Sequence, residues 1–280
     1  MLRLVSWIDT DTRVVPEETP LRQALKTFEL GELQGLPVVD AQGRAVGFLH
    51  RASSARWLHR EQREGLAAEA MSTPLILSAE AGLADALALM WESESHCVLT
   101  LDTNGCPAGI LTSRAVLAGM QQSPLMQDLM KTPLADFWHA PVARVVPEDS
   151  LAEFLDLDCE GSPVVDAEWG ELVGYLSQSD VARMLWSSRR SLRECKVLDA
   201  MTACCHTCSP QARLGEAVEL MVSHKIHGVV LAENDQPLAR VSALDVIYEV
   251  WRVLLQQSGA LPLKRRKAFA SLSRPTRQVG

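Results

Sequence analysis

Two Ser-x-x-Asp pairs in the C-terminal half carry the clearest capacity for chemistry: Ser177 with Asp180, and Ser242 with Asp245. At the start of a helix, a hydroxyl and a carboxylate three residues apart fall on one side of the first turn. There they can accept hydrogen bonds from a ligand, and a charged acceptor makes hydrogen bonds roughly twice as strong as a neutral one. The same pair also suits helix capping, because a Ser oxygen accepts from free backbone N–H groups and an Asp in the first turn favours the helix dipole. The sequence leaves both readings open. His227 is a second candidate, preceding a β-branched run with His224 and Lys225 close by. It suits an anion, or equally a solvated place at a helix end. Cys204-Cys205-His206-Thr207-Cys208 resembles a metal site, yet zinc usually takes two separated Cys pairs, and only Cys195 or a histidine could complete this one. Reduced, part-buried thiols on a first strand are the expectation there.

The elements that must position these residues recur four times. The register marks are LPVVDAQGRAVGFL (36–49), CVLTLDTNGCPAGIL (97–111), SPVVDAEWGELVGYL (162–176) and HGVVLAENDQPLARV (227–241). From Gly47 to Gly109, Gly174 and Ala239 the steps are 62, 65 and 65 residues, a repeat period that calls for one supersecondary unit per copy. Upstream of each mark, apolar residues fall at i, i+3, i+4 and i+7: Leu21, Ala24, Leu25, Phe28; Leu83, Ala86, Leu87, Met90; Leu214, Ala217, Val218, Met221. That spacing makes one face of a helix. Copy three keeps Leu151, Phe154 and Leu155 but has Asp158 in the fourth place. Pro16, Pro147 and Pro210, with Ala79 in the same role, lead into the helices. A β-branched strand, an Asp/Asn/Gly turn and a second strand follow. A second helix then opens at the polar corner, over 52–63, 114–120, 181–186 and 244–255. The sequence thus predicts an α/β (α+β) chain of four β-α-β-β-α repeats, at 1–66, 67–124, 125–190 and 191–256. The lead-in 131–141 carries Phe137 and Trp138, expected to cover a core edge. Units this small bury too little alone, so they should pack in pairs.

Met71-Ser72 and Met201-Thr202 openings, the PVVD strand and the Gly174–Asp180 corner, four times in one register, resemble the CBS domain. The resemblance covers residues 5–256. It implies two Bateman modules in tandem, as in the γ subunit of AMP-activated protein kinase, and clefts that take adenosine-containing ligands. In this family the corner Asp accepts from ribose hydroxyls, while the Ser or Thr helps hold sugar or phosphate. Copy one has His50 and Ser53 at these places, and copy two has Thr112 and Ala115. Only copies three and four keep Ser and Asp, copy four having Ala239 for the Gly. The ligand-binding residues expected are therefore Ser177, Asp180, Ser242 and Asp245. Gly161 and Ser162 open copy three's strand, and His227 faces phosphate. Gly161 is taken as the counterpart of His227, leaving copy four as the copy with a basic residue there.

The implied function is a regulatory sensor, not an enzyme, with AMP, ADP, ATP or S-adenosylmethionine as regulatory ligand and no cofactor. The partners expected are a second copy of the chain and an effector protein. The alternative is a dimerisation module with empty clefts. No P-loop, Gly-x-Gly-x-x-Gly fingerprint, nucleophile elbow or His-Glu-x-x-His is present. The net charge is −8, and the six cations between Lys264 and Arg277 leave −14 on residues 1–256, a poor surface for nucleic acid. No run of about 18 apolar residues could span a membrane, and a reduced, cytoplasmic setting is expected. The basic tail, 257–280, lacks apolar periodicity and is expected to be unfolded.

Overall fold

The computed structural model describes residues 6–31, 33, 35–61, 64–78, 80–137, 143–157, 159–187 and 190–259. Ala79, Trp138, Asp158 and the basic tail beyond Gly259 lie outside them. Copy one runs β1 (Val15–Pro16), α1 (Leu21–Gly31), β2 (Gly35–Val39), β3 (Ala45–His50) and α2 (Arg51–Glu61), followed by the short α3 (Ala67–Ala70). Copy two repeats the order as β4 (Ile76–Leu77), α4 (Leu83–Glu92), β5 (Cys97–Leu101), β6 (Pro107–Thr112) and α5 (Ser113–Gln122), with α6 (Gln127–Met130) after it. In copy three the first strand shrinks to one parallel bridge between Val145 and Val164. It continues as α7 (Leu151–Asp156), β7 (Gly161–Val165), β8 (Leu172–Ser177) and α8 (Gln178–Ser187). Copy four is β9 (Thr207–Cys208), α9 (Leu214–Ser223), β10 (Gly228–Glu233), β11 (Gln236–Ser242) and α10 (Ala243–Ser258).

Turn chemistry fixes each hairpin. In the first three copies an Asp carboxylate (Asp40, Asp102, Asp166) accepts from backbone N–H groups two to five residues on. A glycine with positive φ then closes the loop: Gly43 at 80°, Gly105 at 82°, Gly170 at 71°. Glycine adopts that conformation at no steric cost. Copy four turns instead on Asn234 and Asp235, with φ of 50° and 60°, between paired Glu233 and Gln236. Two successive positive φ values in a two-residue loop match the right-handed strand twist. All four hairpins carry one register shift at the same place, after Val38, Thr100, Val164 and Leu231.

The copies associate in two ways. Sheets bring one against two and three against four. The first contact packs Phe48 with Cys97, Leu99 and Ile110 and adds backbone hydrogen bonds, Ala45 N–H to Gly105 O and Phe48 with Ser72 in both directions, at 2.9 Å each. The second includes backbone and polar links: Leu172 N–H to Asp235 O at 2.7 Å, Arg144 Nη2 to Pro237 O at 2.7 Å, Gln236 Nε2 to Trp169 O at 3.1 Å. Helices bring two against four and one against three. In the first case α4, α5, α9 and α10 share one core containing Leu87, Met90, Leu117, Val218, Met221 and Ile247. In the second, Ala55 of α2 enters the core of copy three. Lead segments cross to the sheet partner. Asp9 bridges Ile110, Leu134 N–H donates to Ala212 O, and Phe137 is buried in the core of copies two and four. The lead-in before copy three thus packs on copy four.

Leu117 lies at the junction of these helices and is 1% exposed. Leu117→Ala should cost about 2–5 kcal/mol, the range for truncating a buried leucine, and lower the urea midpoint of the helical unfolding transition. A midpoint equal to that of the parent would contradict a shared core.

Candidate functional site

Each corner joins a strand end to a helix start, and the structure shows what its residues hold. In copy three, Ser177 N–H and Oγ donate to Asp180 Oδ2 at 3.0 and 2.5 Å, and Asp180 N–H donates back to Ser177 Oγ at 3.3 Å. In copy four the distances are 2.8, 2.7 and 3.2 Å for Ser242 and Asp245. Both pairs therefore form capping boxes, a duty the sequence left open. Asp180 is buried, and its Oδ1 lies 3.3 Å from Nη1 of the exposed Arg183. Copy two caps with Thr112, whose Oγ1 accepts from Ala115 N–H at 3.1 Å. In copy one Ser53 Oγ donates back to His50 O at 3.2 Å.

Strand register corrects one assignment. Gly35 pairs with His50, Cys97 with Thr112, Gly161 with Ser177 and Gly228 with Ser242. Gly161 is thus the counterpart of Gly228, and the residue matching His227 in copy three is Glu160. The matching residue in copy two is His96, so copy four is not alone in having a basic side chain there. The backbone repeats this equivalence: His96 O, Glu160 O and His227 O accept from Ser113, Gln178 and Ala243 N–H at 2.8, 3.0 and 2.7 Å. A residue in this position is thereby tied to the first residue of the helix at its own corner.

These residues converge where the four copies meet. Glu160 Oε1 takes a short contact from His96 Nε2, and Glu160 Oε2 accepts from Arg240 Nη2 at 2.7 Å. His96 Nδ1 lies 3.0 Å from Ser113 Oγ, and the His96 and His227 rings pack at 4.6 Å. Burial alone would raise the Glu160 pKa, but the charges and hydrogen bonds of His96 and Arg240 hold it well below the usual carboxylate range. Burial lowers His227 to about 3 and His50 to about 4, with His96 adding to each shift. Burial also pushes the Tyr175 phenol up to about 12. Two glycines make room. A Cβ on Gly161 would lie 2.4 Å from the Tyr175 hydroxyl, and one on Gly228 would lie 2.8 Å from Arg240 Nε.

The remaining expected residues divide. Ser162 is fully buried and its hydroxyl donates to Ala143 O at 2.5 Å, so it secures the lead-in. His224 and Lys225 are exposed, and His224 stacks on His206 at 3.7 Å. Only Thr207 and Cys208 of the Cys204–Cys208 run belong to the strand, and Cys208 is buried while Cys204 is exposed. Among the described residues no group of three or more His, Cys, Asp and Glu is placed to hold a metal ion. Sequence comparison missed His96, Glu160 and Arg240. The signal for His96 and Glu160 was their place immediately before each middle strand, obscured in copy two by Cys97 where the other copies have Gly, while Arg240 lies within β11 and had no such signal. An open cleft of about 220 Å³ lies away from the corners, lined by Arg56, His59, Arg60, Leu155, Asp156 and Arg193.

The buried rings fix a pH dependence. A histidine whose pKa is depressed by folding binds fewer protons folded than unfolded, so stability falls as pH drops below about 6.5. Glu160 acts in the same direction below its unfolded value near 4.5. At pH 5 each ring should cost at most about 2 kcal/mol relative to pH 7, less where solvent screens it. The urea midpoint should therefore fall between pH 7 and pH 5, and His50→Gln should flatten that fall. An identical slope in His50→Gln would remove His50 from this account.

Comparison with known proteins agrees with this architecture. A family model for the CBS domain matches residues 6–53 and 197–252. The Dictyostelium discoideum 5'-AMP-activated protein kinase subunit gamma is 25% identical over 204 residues, covering 65% of this chain and 35% of that protein, so the chain spans about a third of the relative's length. A Methanocaldococcus jannaschii protein, proposed as an archaeal homologue of the same subunit, superposes with a TM-score of 0.79 at 16% identity, covering 89% of this chain and all of that one. A conserved protein from Pyrococcus horikoshii does so with a TM-score of 0.61 at 18% identity over the same shares. Such low identities establish the fold alone, and it is the fold that the repeat register implied. Its outer copies match the CBS model, and the chain as a whole resembles a tandem CBS-domain protein, similar in layout to the AMP-activated protein kinase γ subunit.

Proposed function

We propose that the chain is a non-catalytic regulatory module whose C-terminal pair senses an adenosine-type ligand and passes the signal to a partner protein. One observation carries this reading: the two complete corners belong to the same pair, and each is one backbone hydrogen bond from the junction of all four copies. A ligand on Asp180 or Asp245 would press on the very residues that hold the copies together. The kinase-subunit relative supports a regulatory role, and its name supports AMP as one candidate beside ADP, ATP and S-adenosylmethionine. Self-association and an effector protein belong to the same proposal.

The capping boxes favour a second reading, a structural interaction module, because the Ser and Asp side chains already have a duty without any ligand. The two readings separate in a thermal-shift series with the four candidate ligands. Saturation at a hundred times Kd stabilises a fold by about 2.7 kcal/mol. In the sensing reading at least one ligand raises Tm, and Asp180→Asn with Asp245→Asn weakens its binding by roughly tenfold to 150-fold, as expected when charge-assisted hydrogen bonds are lost. Asparagine keeps an oxygen for the cap, so the unliganded Tm should move less than with alanine, whose cap loss costs about 1 kcal/mol at each corner. No shift with any ligand would favour the structural module.

A further inference from the structure

The residue at the junction differs in kind between copies. Copies two and four place a histidine there, His96 and His227, while copy three places Glu160. Glu160 does not sit as a loose surface acid. Its two carboxylate oxygens are divided between His96 of copy two and Arg240 of copy four, and the Arg240 side chain is only 16% exposed. Arg240 crosses the face of Gly228, where a Cβ would meet its guanidinium at 2.8 Å, so the backbone has no side chain at the place this cation needs. Glu160 O in turn accepts from Gln178 N–H at 3.0 Å, which ties its backbone to the Ser177–Asp180 corner, and Arg240, which holds its carboxylate, also feels the Asp245 charge of the other corner.

A phosphate arriving at that corner would meet an ionised carboxylate as its neighbour. The side chains best able to receive it, His96 and Arg240, already hold that carboxylate. Binding would require breaking both contacts and leaving two like charges together, and like-charge juxtaposition is a strong means of rejecting a ligand. A neutral or cationic group would meet no such opposition. We infer that Glu160 sets the ligand chemistry of the C-terminal pair, admitting an unphosphorylated adenosine-type ligand and opposing nucleotides. The inference rests on the sensing function proposed above and narrows its ligand class.

Adenosine and AMP differ by the phosphate alone, so calorimetric titration of the full chain with each tests the point. The parent protein should bind adenosine at least about tenfold more tightly than AMP. Glu160→Gln, which keeps a hydrogen-bonding amide but no charge, should shift that ratio toward AMP by at least about tenfold, with an unchanged far-UV spectrum and cooperative unfolding as the control for folding. A measurement on the parent protein needs no variant. Raising salt from about 20 to about 500 mM screens charge, so AMP binding should strengthen relative to adenosine, whereas a phosphate received by cations would weaken. The selectivity is overturned if AMP binds as well as adenosine, if the ratio is the same in Glu160→Gln, or if salt weakens AMP relative to adenosine. Binding of neither ligand to either protein would instead overturn the sensing reading and the selectivity with it.

Discussion

One carboxylate connects three of the four repeats. Glu160 belongs to copy three, and its partners His96 and Arg240 come from copies two and four. Charge pairs that are only partly buried are modest sources of stability, and 37% of the Glu160 side chain remains exposed. Their value here lies in specification. Apolar packing would tolerate small slides of one sheet along another, while a carboxylate with one histidine and one guanidinium on separate oxygens admits a single arrangement. Removing one member would leave the others half-desolvated without a counter-ion, so the cost of disturbing the centre exceeds the benefit of forming it.

Around that centre the two modes of association divide the work of folding. Helix contacts between copies two and four bury the larger continuous core, including Leu117, Val218 and Ile247 at 1% exposure or less. Sheet contacts contribute differently in each module. Both pairs share a backbone link, Ala45 N–H to Gly105 O and Leu172 N–H to Asp235 O; Phe48 with Leu99 and Ile110 adds apolar packing in the N-terminal pair, while Arg144 and Gln236 add side-chain hydrogen bonds between copies three and four. The second pair depends on hydrogen bonds whose geometry is exacting, and it is also the pair with both complete corners.

Much of the fold was legible because burial repeats with the helix. Leu83, Ala86, Leu87 and Met90 are each 1% exposed or less, as are Leu214, Ala217, Val218 and Met221. The Ser-x-x-Asp corners were legible as places, though not as duties, since capping and ligand binding ask for the same oxygens. The junction was not legible. A one-residue offset put Gly161 opposite His227 when the strand ladder aligns Glu160, and in a strand one residue reverses the face a side chain meets. Crossing of the lead segments is not legible for another reason: a contact such as Leu134 with Ala212 joins residues far apart in sequence, and no local periodicity encodes it.

The incomplete corners show how a repeat without the Ser-x-x-Asp pair still serves as scaffold. In copy one, Arg51 follows His50 where the other copies begin their helix with Ser, Gln or Ala. Its Nη2 donates to Phe28 O at 3.2 Å and Leu33 O at 3.3 Å, and its guanidinium lies 5.4 Å from the centre of the Phe28 ring. A cation placed over an aromatic face and bonded to carbonyls is attracted in both contacts. Copy one thus fills its corner from within. Copy two keeps the cap through Thr112 but has Ala115 where a carboxylate would stand, while its His96 reaches across to Glu160. The N-terminal pair lacks the corner carboxylates and keeps the side chain that the other pair's centre needs. Loss of two corners is therefore compatible with a four-repeat fold, because the residue binding the modules together lies outside the part of the corner that was lost.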